Sequence, residues 1–371
     1  SQRQHNFMGS DADITVVGGA AGCLDATGEY LTPQGWKKFS DYHENDLVAQ
    51  YDKDTNKLEF VKPEQYVKLP CESFKRVKAR GIDFILSEEH KVPYWESKTS
   101  TEMKIQTWGE IVKGLEKNRK GFKGWIKTTF DYSGSGLDLT EGELRLQIAV
   151  QADGRIVKEG KDNYTQMRFS KKRKYERLKW LLDTWGLRYK DNGASYNPKY
   201  ENDTEYEIIV YPKYADKVFD AKYYNATSEQ LQVIKDEVGY WDGIIYDSGV
   251  IRYSTVVKEN ADFIQFVFHA CGNGTSYHVD SRSGKYTSGS CYQVDCNVKL
   301  GAFRTLGETH PVEDFKSTDG FKYCFTMPKG LFLARQNGCV FITHNSGKTW
   351  VGISKFVRFI DEPEYIGYII R

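Results

Sequence analysis

Apolar and polar positions along this chain follow two different periods. From residue 23 to about 120 they alternate in short runs, as in Leu47-Val48-Ala49-Gln50-Tyr51 and Leu58-Glu59-Phe60-Val61. Successive side chains of a strand point to opposite faces, so this period of two predicts short strands. Turn signals separate the runs: Pro33-Gln34-Gly35, the stretch from Asp52 to Asn56, Pro70 and Gly81. From about 121 to 299 the spacing turns helical. Leu144 and Ile148 belong to a stripe that ends Gln151-Ala152-Asp153-Gly154, and Leu231, Ile234 and Val238 to a second that ends Tyr240-Trp241-Asp242-Gly243. Between them the basic run Lys171-Lys172-Arg173-Lys174 precedes a helix-like segment from Tyr175 to Leu182. From about 300 to 345 the text is β-like again. A β-like stretch at each end with helices between them is expected.

Composition narrows the functional classes. A length of 371 residues allows two or three cores. A formal net charge of +1 gives no global field toward nucleic acid or membrane, so any DNA-binding surface must be local. The seven cysteines are odd in number, scattered and without a C-x-x-C pair, which argues against a disulfide scaffold and a zinc site and suits a reducing cytosol. No run of 18 apolar residues is present and no signal peptide opens the chain, so a cytoplasmic, soluble setting without membrane contact is expected.

One motif emerges only when the middle of the chain is taken out. Joining Gly22 to Ser346 gives Gly19-Ala20-Ala21-Gly22-Ser346-Gly347-Lys348-Thr349, a complete G-x-x-x-x-G-K-T loop preceded by the apolar run Ile14 to Val17. In that joined form Gly19, Gly347, Lys348 and Thr349 would cradle ATP phosphates at a helix N-terminus. The edges of the removed piece carry acyl-transfer chemistry: a thiol at Cys23, a hydroxyl at Ser346, an amide at Asn345 able to attack its own carbonyl, and a proton donor at His344. With these residues the chain resembles an intein, a self-splicing insert, interrupting a P-loop ATPase. The flanks, residues 1–22 with Asp11 to Gly22 and residues 346–371 ending Tyr365 to Arg371, resemble a phage terminase large subunit, the DNA-packaging ATPase. At 48 residues in all they are too short for a folded ATPase, so ATP binding would belong to the spliced host.

The resemblance extends to the splicing blocks. Cys23 to Leu31 resembles the first block, Phe84 to Val92 the second, and Tyr323 to Pro328 with Gly338 to Asn345 the two C-terminal blocks. It implies a mainly β Hint (intein splicing) domain made of 23–120 and 300–345. It also implies a route without cofactor: Cys23 attacks Gly22, Ser346 takes over the acyl group, Asn345 cyclises with help from His344, and the ester rearranges. His90 would assist the first step and Ser87, in place of the usual Thr, would bond the oxyanion. Cys324 stands where the family often has Asp, as a proton carrier or relay thiol. The histidine usual later in that block is absent, with Leu331 and Phe332 near its place, so the group that activates Asn345 is left open. The other histidines, at 5, 43, 269, 278 and 310, sit in no motif.

The insert, 121–299, has helix ends in Asp-Gly at Asp153 and Asp242, 89 residues apart. It resembles a LAGLIDADG homing endonuclease, which implies an α/β domain with pseudo-two-fold symmetry that splits the β unit at a surface loop and has its ends close together. That resemblance implies two parallel helices that meet through small residues (Ala149, Ala152 and Gly239) and deliver Asp153 and Asp242 as ligands of Mg²⁺. It implies double-stranded DNA as partner, with the target in the uninterrupted host gene, the basic run at 171–174 on phosphates, and a monomeric protein. Lys258 is a candidate for a catalytic lysine, and a decayed nuclease is an open alternative. A second alternative, a packaging-ATPase fragment whose insert only cleaves itself, sits poorly with the presence of both Asn345 and Ser346.

Overall fold

The computed structural model describes residues 22–79, 81–117, 121–159, 162–199, 204–284, 287–296, 301–307 and 310–344. Gly19, Asn345, Ser346, Gly347, Lys348 and Thr349, and with them the expected ATP loop, lie outside the described residues. The chain is mostly β with few helices. Its first strands are β1 (Gly28–Thr32), β2 (Gly35–Lys38), β3 (Val48–Tyr51), β4 (Leu58–Val61), β5 (Gln65–Pro70), β6 (Ser73–Ala79), β7 (Ile82–Leu86), β8 (Lys91–Tyr94) and β9 (Lys104–Thr107), then helix α1 (Trp108–Leu115) and β10 (Gly124–Lys127). Helix α1 falls where only strands are expected. Its signal is the box Thr107-x-x-Glu110, in which each side chain caps the other's backbone.

The insert is built from one unit used twice. Its first half runs α2 (Glu141–Asp153), β11 (Gly154–Glu159), β12 (Asp162–Phe169), α3 (Lys172–Thr184), β13 (Tyr189–Tyr196) and β14 (Thr204–Val210). Its second half repeats the order with α4 (Ser228–Val238), β15 (Gly243–Ile245), β16 (Ile251–Thr255), α5 (Lys258–Ala270), β17 (Thr275–Gly284) and β18 (Thr287–Cys296). The sheets have matching orders, β11-β12-β14-β13 and β15-β16-β18-β17. Helices α2 and α4 pack on each other, and both open with a capping box, Thr140/Glu143 and Thr227/Gln230. Arg145 of α2 and Arg177 of α3 converge on the fully buried Glu237 of α4, at 2.8 and 2.5 Å, and Trp241 donates to it as well. Gly239 does not serve the contact between α2 and α4. A Cβ there would lie 2.7 Å from the Ile245 side chain, so its smallness lets α4 close onto its own sheet.

The last strands are β19 (Phe303–Leu306), β20 (Val312–Lys316), β21 (Phe321–Thr326), β22 (Leu331–Gln336) and β23 (Cys339–His344). β10 runs antiparallel to β19, so the chain enters and leaves the insert side by side. The central sheet has the order β2-β1-β22-β3-β4, with β23 also on β22. Both of its faces are buried. Tyr30, Val48, Phe332, Ala334 and Phe341 point into a core with Cys23, Phe84 and Trp108, whereas Leu31, Ala49, Leu331, Leu333, Val340 and Ile342 point into a second core with Ile148, Leu231 and Phe263 of the insert. The period of two thus feeds two cores at once.

A polar seam continues the contact. Lys258, Asp262, Gln265 and His269 form one stripe of α5, at spacings of 4, 3 and 4. Arg335 of β22 reaches Glu29 (2.6 Å), Asp262 (2.7 Å) and Gln265 (3.1 Å) from a fully buried position and lies over the Trp36 ring. Gln265 also donates to Gly338 O and Thr275, and His269 bonds Thr275.

Candidate functional site

The upstream edge is held by backbone bonds. Leu24 bridges Tyr323 on one side and Leu86 on the other. Leu24 N donates to Tyr323 O (2.8 Å) and Tyr323 N to Leu24 O (2.9 Å), which makes them a hydrogen-bonded antiparallel pair. The next pair along such a register is non-bonded, with side chains closer together. That pair is Cys23 with Cys324, both fully buried. The Cys324 thiol also points to Phe325 O at 3.5 Å.

Ser87 clamps the peptide on the other side. Its N–H donates to Cys23 O and its Oγ accepts from Cys23 N–H, each at 3.0 Å. The hydroxyl therefore sits on the amide nitrogen of the Gly22–Cys23 bond, not on the carbonyl oxygen where an oxyanion would develop. The sequence expectation placed this hydroxyl on the oxyanion instead. A tight turn, His90 N to Ser87 O at 2.9 Å, then brings His90 against Gly22. A Cβ on Gly22 would lie 2.2 Å from His90 Cα and 2.5 Å from Glu89 O, so only glycine fits before the bond.

The His90 imidazole is completely buried, with Nε2 2.5 Å from Thr343 Oγ1. Burial pushes its pKa down to about 4, the positive fields of His344 and Lys322 add to this, and the Gly22 backbone opposes them. The ring is neutral at pH 7. Thr343, buried on β23 one residue before His344, is not singled out by sequence. A threonine closing an apolar strand reads as a β-former, so it leaves no signal. Leu331 and Phe332, at the place of the missing histidine, are buried one in each core.

A second cluster lies at the ends of α2 and α4. Lys174 Nζ meets Asp153 Oδ2 at 2.6 Å, and Lys217 Nζ donates to Val150 O (3.0 Å) and Ala152 O (3.2 Å) at the C-terminal end of α2. Burial pushes the Asp242 carboxyl up, the Asp153 charge adds to this, and Lys174 and Lys217 oppose it. Burial pushes Lys217 down against the pull of the same two aspartates. Asp153 and Asp242 are thus brought together, with two lysines that sequence does not assign. Lys258 is elsewhere: its partners are Asp262 (2.6 Å) and Glu29 (3.6 Å) in the seam. The basic run is also partly spent inside the protein, since Lys172 pairs with Glu176, Arg173 donates to Tyr240 O and Lys174 holds Asp153. Among the described residues no three His, Cys, Asp or Glu side chains form a metal cage. Nor is any described helix long and apolar enough to cross a membrane.

No family model matches the chain. A curated relative, the ribonucleoside-diphosphate reductase subunit beta of Aquifex aeolicus (strain VF5), is 27% identical over 387 residues, covering 92% of this chain. The chain spans 53% of that relative's length. Among solved structures, a splice-inactive variant of the AceL NrdHF class 3 split intein is similar with a TM-score of 0.32 and 8% identity, covering 87% of this chain and 98% of that one. I-DmoI in complex with DNA and Mn is similar with a TM-score of 0.30 and 12% identity, over 43% of this chain and 90% of its own. The gp41-1 intein gives 0.20 and 19%, over 29% of this chain and 70% of its own. Likenesses of this size do not bear on activity.

Proposed function

We propose that the chain is a self-splicing precursor in which residues 23–345 excise themselves and Gly22 is joined to Ser346. One observation carries this reading: the Gly22–Cys23 peptide meets Ser87, His90 and, by register, Cys324, all buried, and it does so in a sequence whose ends join into G-x-x-x-x-G-K-T. The Cys23 thiol attacks the Gly22 carbonyl. Neutral His90 gives its ring proton to the departing Cys23 amine and the thiol proton replaces it on the same nitrogen, so a C–N bond breaks as a C–S bond forms. Ser87 holds the amide nitrogen in register for that transfer. The Ser346 hydroxyl then displaces the Cys23 thiolate from the thioester. The Asn345 side-chain nitrogen closes on its own carbonyl, and His344 protonates the amine that leaves. The freed Ser346 amine finally takes the acyl group from its own oxygen. Cys324, opposite Cys23, serves as proton carrier or relay thiol.

The host belongs to the same proposal: the 48 flanking residues regenerate a phosphate loop of the packaging-ATPase kind. The curated relative is a reductase subunit and lends that host no support. A second activity, cleavage of double-stranded DNA, is favoured by the duplicated helix–sheet unit and its shared acid pair. Asp153 and Asp242 are hard oxygen donors in one field, which suits a divalent cation such as Mg²⁺ completed by phosphate oxygens. When bound, that cation would supply a polarised water and charge neutralisation at the phosphodiester. Lys174 holds Asp153, Lys217 holds the carbonyls at the end of α2, and the two positive charges offset the repulsion between the carboxylates.

Intact-mass spectrometry after incubation in reducing buffer tests the splicing reading. A 323-residue excised piece with a joined 48-residue peptide is expected. Persistence of the intact precursor, or release of unjoined flanks, would overturn it.

A further inference from the structure

His90 has two ring nitrogens and one proton to place. Nε2 is engaged with the Thr343 hydroxyl at 2.5 Å, and Nδ1 has no hydrogen-bond partner of good geometry. The Gly22 backbone is packed against the same residue so closely that a methyl group would not fit between them. In a neutral imidazole one nitrogen donates and the other accepts. A hydroxyl that donates to Nε2 fixes the proton on Nδ1, the nitrogen left to answer Gly22. The partner of a histidine's far nitrogen sets its tautomer and ring angle.

We propose that Thr343 is a positioning residue that holds His90 through Nε2 and aims Nδ1–H at the Gly22–Cys23 bond. The inference rests on the splicing reading. It also links the two junctions. Thr343 is 253 residues from His90 but adjacent to His344, on the strand that leads to the downstream cut. β23 thus orients the group acting at one end of the excised piece while it presents the residues acting at the other. A valine fills the same volume without a hydroxyl, and a serine keeps the hydroxyl.

The test uses the full chain with Asn345→Ala, so that the downstream step is silent, and follows thiol-induced release of residues 1–22 by mass spectrometry. Thr343→Val is expected to slow release about tenfold or more, a share of what a positioned acid–base group contributes, and Thr343→Ser to stay within about threefold of the parent. A Thr343→Val chain as fast as the parent overturns the proposal, as does a Thr343→Ser chain as slow as Thr343→Val. A parent no faster than Cys23→Ala would instead sink the splicing reading itself. Nitrogen-15 NMR of the His90 ring in a Cys23→Ala chain reads the tautomer without turnover. A single Nδ1-protonated form that is lost in Thr343→Val is expected, and identical spectra overturn the proposal.

Discussion

The two candidate centres are built on opposite plans. Around Gly22–Cys23 the partners are backbone groups, two thiols, two hydroxyls and an imidazole that burial keeps neutral. Around Asp153 and Asp242 they are charges: two carboxylates and two ammonium groups, with the Lys174–Asp153 pair still partly exposed. A reaction within one chain moves protons and acyl groups over short distances, so its apparatus can be sealed and neutral. A site that awaits a polyanion and a cation must keep charge in reserve and remain open to it. A buried neutral histidine and a part-exposed charged pair are thus expected to work apart, and four experiments press on that separation.

The largest effect is expected at Gly22. Gly22→Ala drives a methyl group into the His90 backbone, and upstream thioester formation should fall by about three orders of magnitude, within the range attributed to positioned acid–base groups. Thiol-release assays check this, while DNA nicking by the same chain should be unchanged. Asp153→Asn is the mirror experiment: Mg²⁺-dependent nicking of a plasmid carrying the joined host sequence should be lost, with splicing untouched. If either substitution disables both activities, the separation fails.

Next in size is the seam. Arg335→Met removes the fully buried cation that Glu29 and Asp262 share and leaves them only the half-exposed Lys258, and breaking such a buried pair costs about 3–5 kcal/mol. Urea denaturation of the Cys23→Ala chain measures it. The smallest effect is in pH. Folded His90 titrates at about 4 against 6.5 in the unfolded chain, so the unfolded state takes up a proton first as pH falls. Stability is complete above pH 6.5, is lost between 6.5 and 4, and the loss levels off below that at about 3 kcal/mol. His269, held down to about 3, adds a loss of the same sign that runs further into acid. His90→Gln should remove the first portion only.

What sequence made legible were features written locally or joined by one cut. The stripe ending at Asp153 is helix α2; the second stripe is α4, which stops at Val238 and leaves Asp242 in the turn before β15, and the alternating runs are strands. The duplication was readable only as an 89-residue spacing between two helix ends, and its full extent, two matching six-element units, needed the sheets. Helix α5 went unnoticed because its Lys258, Asp262, Gln265 and His269 stripe is polar where a core-facing stripe is expected to be apolar. Its partner Arg335 lies 73 residues from Asp262. Contacts across such distances leave no periodic trace. The same holds for Thr343 with His90 and for Lys217, which meets α2 from 65 residues away.

The central sheet is covered on both faces, and this bears on the history open to the insert. On the proposed nuclease reading, point substitutions at Asp153 or Asp242 would silence DNA cleavage and leave the sheet's second core intact. Deleting the insert outright would bare Leu31, Ala49, Leu331, Leu333, Val340 and Ile342 to water, at about 1.5–3 kcal/mol for each large side chain. Gradual decay is therefore cheap and clean excision is steep. A lineage of this element would keep a dead nuclease as scaffolding long after selection for mobility had lapsed. A shortened descendant should carry polar residues at those six positions.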